Sequence, residues 1–389
     1  MVLGGDTGEV LLMQPRIVSA LRLPLPALPP VHEQHQNQQQ NEGQPHTVRR
    51  RRIHALSKAA IADVSERVST RVDFAWLTAP MNPDTAVDSS AAPRPVRVSL
   101  IVGIAASVVM LFPSWVGGGR LPLQNLWHKQ TMPDGMPFSL LPLSQYDALS
   151  IFAMLLLGGV VAGFVVRMLR PHTWPAALGV LLVQVIATVQ SFAVLAGGLG
   201  FADGSAGSRE MLYFGGMLGG VLAGMMLAQL GCWMASRPAV PLPALAVALS
   251  VVPARTWLGY MIASFNPIYG YPPEVGTVLR WVPAVIVAAT LIWCGVRPLS
   301  RLVVWAAGLF ALWMLPAVFT AISSALGMRV LDGDLREMAE VAAQIFPVAL
   351  EVEVLPVVVA LVIAVVGTVV RWKTTASPGV ERAERVDTL

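Results

Sequence analysis

Charge is what this sequence has least of. Asp, Glu, Lys and Arg together make up 13% of its 389 residues, about half of the ~25% that a water-facing domain carries. Apolar residues make up 55%, although the first 95 positions are largely polar, and mean hydropathy is still +0.62. The remainder is therefore too apolar to face water, which makes bilayer-crossing helices the default reading. Cysteine is scarce too. The two thiols, Cys232 and Cys294, exclude a disulfide framework and a cysteine-built metal site, and each is expected to pack in an apolar interior. Lysine occupies only Lys58, Lys129 and Lys373, while Ala, Gly, Val and Pro abound. That bias points to a GC-rich bacterial genome.

Catalytic parts are missing as well. The chain has no HExxH helix, no GxSxG elbow and no GxxxxGK[ST] loop, which removes the zinc-protease, serine-hydrolase and ATPase signatures. The "GSAG" at Gly204 has no histidine near it in sequence. Apart from His172 at the edge of one, the apolar runs described below contain no Asp, Glu, His or Lys, so an intramembrane aspartyl protease or a carboxylate proton relay lacks its groups. No metal, cofactor or nucleic-acid site is legible, and the expectation is a protein that is not an enzyme.

What is present is long apolar runs. Charge-free stretches of spanning length cover Val98–Gly119, Ala148–Val166, Pro171–Ala202, Met211–Ser236, Leu302–Met328 and Val354–Val370, each reaching at least the ~17 residues a span needs. Pro238–Phe265 carries one arginine, and the run from Thr277 to Val296 suffices if Arg280 snorkels. The sequence therefore predicts an all-α, polytopic membrane bundle of eight helices over 96–371, between a polar segment (1–95) and a tail (372–389).

Cations near the span ends orient it. One set of flanks holds Arg94, Arg97, Arg167, Arg170, Arg237, Arg297, Arg301, Arg371 and Lys373 and no acid; the other holds six cations and eleven acids. The first set is expected to be cytoplasmic, with both termini, in a cell membrane. Three turns on that side read "RPHTW", "RPAVP" and "RPLSR".

Residues 1–80 include the polar run "HEQHQNQQQNEG" and a basic stretch able to form an amphipathic helix on anionic lipid. Met81 reads as a natural start, which would leave that segment untranslated. Near the other end, Asp334 is placed to cap a helix with Glu337 reaching back. Leu335, Met338, Val341, Ala342 and Ile345 would then share one face. This predicts either a short helix lying apolar face down on the outer surface or a plain connector.

Two near-identical octets, "LGGVVAGF" from Leu157 and "LGGVLAGM" from Leu218, supply small residues four apart. Such strips let membrane helices approach closely. Gly158, Gly159 and Gly163 are the expected packing residues in the second span, and Gly215, Gly216, Gly219, Gly220 and Gly224 in the fourth. The strips would join helices within the bundle, or to a second copy or another membrane protein. Each octet leads into an R-P turn and a returning helix, which suggests a duplicated two-helix unit; two independent packing strips are the plainer reading.

One charge remains inside a span. Arg255 lies about 22 Å along the fifth if that begins near Val240, so it should face a bundle interior or cavity. Gln184, Thr188 and Ser191 form a polar stripe on the third span, and Thr320 and Ser323 lie at a similar depth on the seventh. Together they predict a polar pocket for a small anionic or amphipathic solute. The alternatives are that Arg255 pairs with Glu351 or Glu353, or that it snorkels from a helix broken at Pro253. The two functions that fit are a permease and a non-transporting scaffold or cell-envelope assembly subunit.

Overall fold

The computed structural model describes residues 96–124, 126–128, 131–169, 172–265, 272–328 and 334–376. The expectations for residues 1–95, including the Met81 start, and for the tail beyond 376 lie outside these. The described residues form nine α-helices and no strand: α1 Val96–Val116, α2 Ala148–Leu169, α3 Thr173–Gly198, α4 Ser208–Ala235, α5 Pro241–Ser264, α6 Pro273–Cys294, α7 Leu302–Gly327, α8 Leu335–Val352 and α9 Val354–Ala376. Eight stretches are long and apolar enough to cross a membrane, the last of them running through α8 and α9 together. This is the all-α polytopic bundle that the apolar runs predict.

Side-chain contacts fix which ends lie together. Arg371 Nη1 donates to the carbonyls of Ile292 and Trp293, at 2.8 and 3.3 Å. Arg301 Nη1 donates to Cys294 O at 2.6 Å and Trp305 Nε1 to Gly295 O at 3.1 Å. Arg167 bonds Arg237 O and lies over the Trp293 ring. The ends of α2, α4, α6 and α9 therefore share one pole, the turn end, and both described termini lie there. The arginines that mark it close the carbonyls a helix leaves open at its C-terminus, where a cation is also favoured by the helix dipole.

The helices pack around two cores. α1 to α4 enclose one, which includes Leu111, Met154, Leu155, Phe192, Leu195 and Met225. α5, α6, α7 and α9 enclose the other, around Val251, Val287, Leu291, Leu312 and Ala360. The halves meet where α2 packs on α5, and Trp257 Nε1 of α5 donates to Met110 O of α1 at 2.8 Å.

Glycine sets the close crossings, though not all those expected. A Cβ on Gly159 would lie 2.5 Å from the Ala228 carbonyl carbon, and one on Gly163 would lie 2.9 Å from Cys232 Cα. These two glycines let α2 lie backbone to backbone on α4. Gly158 faces Ser107 of α1, and Gly224 faces Leu155 of α2. Gly215, Gly216, Gly219 and Gly220, however, have nothing within 4 Å of an added Cβ and are exposed. The packing expected of those four is not made within the described chain, because α4 turns its other face, with Val221, Gly224, Met225 and Ala228, into the bundle. The octets thus play different roles, one central and one mostly outward. Gly103 and Gly179 form a further close crossing, between α1 and α3, that octet matching does not reveal.

Opposite the turn end, the described residues between Gly117 and Asp147 fold back into the bundle mouth. Leu121, Met136, Leu141 and Leu143 are buried. The side-chain amide of Gln190 on α3 acts as a short strand partner, donating to Phe138 O at 3.0 Å and accepting from Leu140 N at 2.9 Å. Trp127 lies against the backbone of Gly198, where any Cβ would clash with its ring. Apolar segments alternating with turns form a plug here rather than a loose loop.

Candidate functional site

The site begins with the depth of Arg255. Pro253 does not end α5, which runs unbroken from Pro241 to Ser264 with Pro253 buried. The missing N–H removes only the bond to Leu249 O. Arg255 lies fourteen residues from the start of α5, about 21 Å at 1.5 Å per residue. It is half-buried.

A second arginine sits at the same level. Arg280 is fourteen residues from the end of α6 at Cys294, again about 21 Å from the turn end. Its Nη2 donates to Val352 O at 3.2 Å, and its Nε is buried without a partner. Val352 is the last residue of α8, so this bond fixes the level of the α8–α9 junction.

That junction corrects the expectation of a surface helix. α8 is longer than predicted, at 18 residues, and its N-terminus is capped by Asp334, which accepts from Arg336 N and Glu337 N. Leu335 is exposed, while Met338, Val341, Ala342 and Ile345 are half-buried. α8 lies along α7, and Trp313 Nε1, midway along α7, donates to Leu350 O at 3.1 Å. It therefore descends beside α7 and gives way to α9 at Glu353. The expectation that acids are absent from the spans fails here, because the last span begins earlier than its charge-free run.

Glu353 is half-buried, one residue beyond the Val352 carbonyl that Arg280 holds. Glu351, the other carboxylate offered by the sequence, is exposed. Arg255 and Arg280 thus lie at one helical depth on two packed helices of the second half, and Arg280 reaches the α8–α9 junction that carries Glu353. α7 contributes no titratable side chain, and α9 has none before Arg371.

The polar stripe of α3 is placed elsewhere. Gln184 Nε2 donates to Leu155 O of α2 at 2.8 Å, and Thr188 Oγ1 to Met225 Sδ of α4 at 3.6 Å. Ser191 Oγ accepts from Leu141 N of the plug at 2.8 Å. All three are buried in the first half. Ser323 Oγ bonds locally to Thr320 O at 3.1 Å. The structure places Arg255 on α5 at the depth of Arg280 on the neighbouring α6, and it brings the α3 stripe to α2, α4 and the plug.

Two hollows open among the described residues. One, of about 30 Å³, lies under the plug between Gln124 and Tyr213. The other, of about 340 Å³, is an open apolar groove between Leu258 and Ile262 of α5 and Val275 to Val282 of α6, with Glu274 at its rim. Arg255 lines neither, but lies one turn before Leu258 on α5. In the loops, folding brings His128 Nδ1 to 3.1 Å from Ser205 Oγ of the "GSAG" turn. Both residues are exposed, and Ser205 Oγ also donates to Gly200 O at 3.3 Å, so the pair ties two loops together.

No protein-family model matches the chain, and no curated protein or solved structure matches it. The site is therefore read from its own chemistry.

Proposed function

We propose that this multi-pass membrane protein is a permease for a small anionic solute, handled at the Arg255, Arg280 and Glu353 cluster. The observation that carries the reading is two arginines, Arg255 and Arg280, at one depth on packed helices of an apolar bundle, with Arg280 bonded to the α8–α9 junction beside Glu353. Charges placed so cost several kcal/mol in a bilayer and usually mark a substrate or ion path, and broken helices are where transporters place their sites. Two guanidinium forks favour planar oxyanions. The chain is read as non-enzymatic and cofactor-free, lying in the cell membrane with the arginine-rich turn end and both termini in the cytoplasm.

Flux into proteoliposomes, followed by light scattering over a panel of sodium salts of small anions, tests this with Arg255→Ala. The expected result is loss of uptake of at least one anion at unchanged folded yield. Equal uptake by the variant, or loss of folded protein alone, would overturn it.

A second reading rests on a separate observation. Gly215, Gly216, Gly219 and Gly220 form an outward strip that meets nothing within the described chain, and such strips join membrane helices. This favours a scaffold or assembly subunit, and the two readings diverge on whether Gly219→Ile or Arg255→Ala abolishes activity.

A further inference from the structure

The turn end carries cations and, among the described residues there, no Asp or Glu. Two of its arginines are braced in a way that leaves donors unused. Arg237, just beyond the end of α4, stacks its guanidinium on the Trp233 ring, 4.3 Å from the centroid, and its side chain meets no acceptor among the described residues. Arg167, in the last turn of α2, lies over the Trp293 ring at 5.5 Å and donates one N–H to Arg237 O. That bond sets the two guanidinium groups within about one arginine side chain of each other. Stacking occupies the face of a guanidinium, while its five N–H donors lie at the edge. Of the edge donors in this pair, the Arg237 carbonyl takes one. Two such forks, side by side, suit a phosphate.

Water could satisfy exposed arginines equally well, so the ligand is chosen by what lies beneath them. Met226, Leu230 and Trp233 are exposed on α4, and with Arg237 they follow at spacings of four, three and four. The four therefore share one face, and an apolar lane runs from the middle of α4 to the cation. Trp174 of α3 and Trp372 of α9 are exposed at the same end, and exposed tryptophans mark the headgroup level of a bilayer.

We propose that Arg237 and Arg167 bind the phosphate of one anionic phospholipid, whose acyl chain lies along Trp233, Leu230 and Met226. The lipid is anionic because a choline or ethanolamine headgroup would bring its own cation to a face that has no carboxylate to meet it. It is a lipid because a soluble phosphate gains nothing from the apolar lane. The site lies at the turn end, about 21 Å along the helices from the level of Arg255, so it stands or falls separately from the permease reading.

The full chain in dodecyl maltoside, a neutral detergent, is titrated with phosphatidylglycerol, phosphatidylcholine and glycerol phosphate, with bound lipid counted by native mass spectrometry. Wild type should hold one phosphatidylglycerol at least about fivefold more tightly than phosphatidylcholine. Glycerol phosphate at equal concentration should not displace it. Arg237→Gln should weaken phosphatidylglycerol binding about tenfold, as expected for a lost charge-assisted bond. Its melting midpoint in detergent alone should be unchanged, because the Arg237 side chain holds no backbone group. Arg237→Lys should fall between the two, keeping the charge without the fork. Arg297→Gln removes an exposed cation from the same end and should leave the affinity as it is.

Equal binding of the two lipids, equal losses in Arg237→Gln and Arg297→Gln, or an unaltered Arg237→Gln would each overturn the proposal, leaving at most a general attraction between a basic surface and anionic lipid. Displacement by glycerol phosphate would assign the forks to a soluble anion. A lipid-free dimer that dissociates in Arg237→Gln would assign the face to a second copy of the chain. Either result also overturns it.

Discussion

Replacing Gly159 by alanine adds a single methyl group where α2 lies backbone to backbone on α4. The new Cβ would sit 2.5 Å from the carbonyl carbon of Ala228 and 2.8 Å from its Cα. Carbon atoms settle near 3.5–4.0 Å, so α2 and α4 must part by roughly 1 Å. Neither side can yield locally, because the opposing atoms are main chain within a helix. The parting also spreads to Gly163, one turn on, which lies against Cys232. Overpacking of this kind costs about 1–3 kcal/mol. The gain in helix propensity from replacing glycine, about 1 kcal/mol, offsets part of it. Gly220→Ala is the control. It occupies the matching place in the second octet, but its Cβ meets nothing within 4 Å, so only the propensity gain remains. Reversible unfolding of both variants in mixed micelles, followed by tryptophan fluorescence, should show Gly159→Ala destabilised and Gly220→Ala neutral or slightly stabilised. Equal effects from the two substitutions would refute the packing argument, and so would a Gly159→Ala protein as stable as wild type.

Two further outcomes are expected. Gln190→Leu removes both hydrogen bonds that hold Phe138 and Leu140, at about 0.5–1.5 kcal/mol each. Amide exchange at 138–143 should therefore accelerate while exchange in α6 and α7 stays unchanged. Arg371→Ala strips two carbonyls at the end of α6 of their donor; it should lower the melting midpoint of the purified protein, and Arg371→Lys should restore it only in part, since a lysine lacks the planar fork.

The helices were legible because their signal is long. The Leu302–Met328 run returned as α7 over Leu302–Gly327, and the Pro238–Phe265 run as α5 over Pro241–Ser264. Bilayer thickness sets such lengths, so counting apolar residues recovers them. The last span was cut short because Glu351 and Glu353 interrupt its apolar run, and only the Arg280 and Trp313 bonds reveal that α8 descends beside α7. Counting residues along a span gives Arg255 its height, and the same count gives Arg280 a matching one. Depth says nothing about azimuth, however. The α3 stripe and Arg255 lie in different halves of the molecule, which is a matter of helix neighbours and not of spacing along any one helix. The same gap explains Gly215 to Gly220: a small-residue strip shows that a helix can be approached closely, but not from which side.

The arginines of the turn end carry one more implication. Because Arg301 and Arg371 hold the closing carbonyls of α6, the residues proposed to orient the chain in the membrane are also bolts in the finished molecule. A variant stripped of those cations to flip its topology would arrive with the sixth helix frayed, so misorientation and misfolding would be seen together. Swapping arginine for lysine would separate them: the orienting charge survives, while the bracing geometry is weakened.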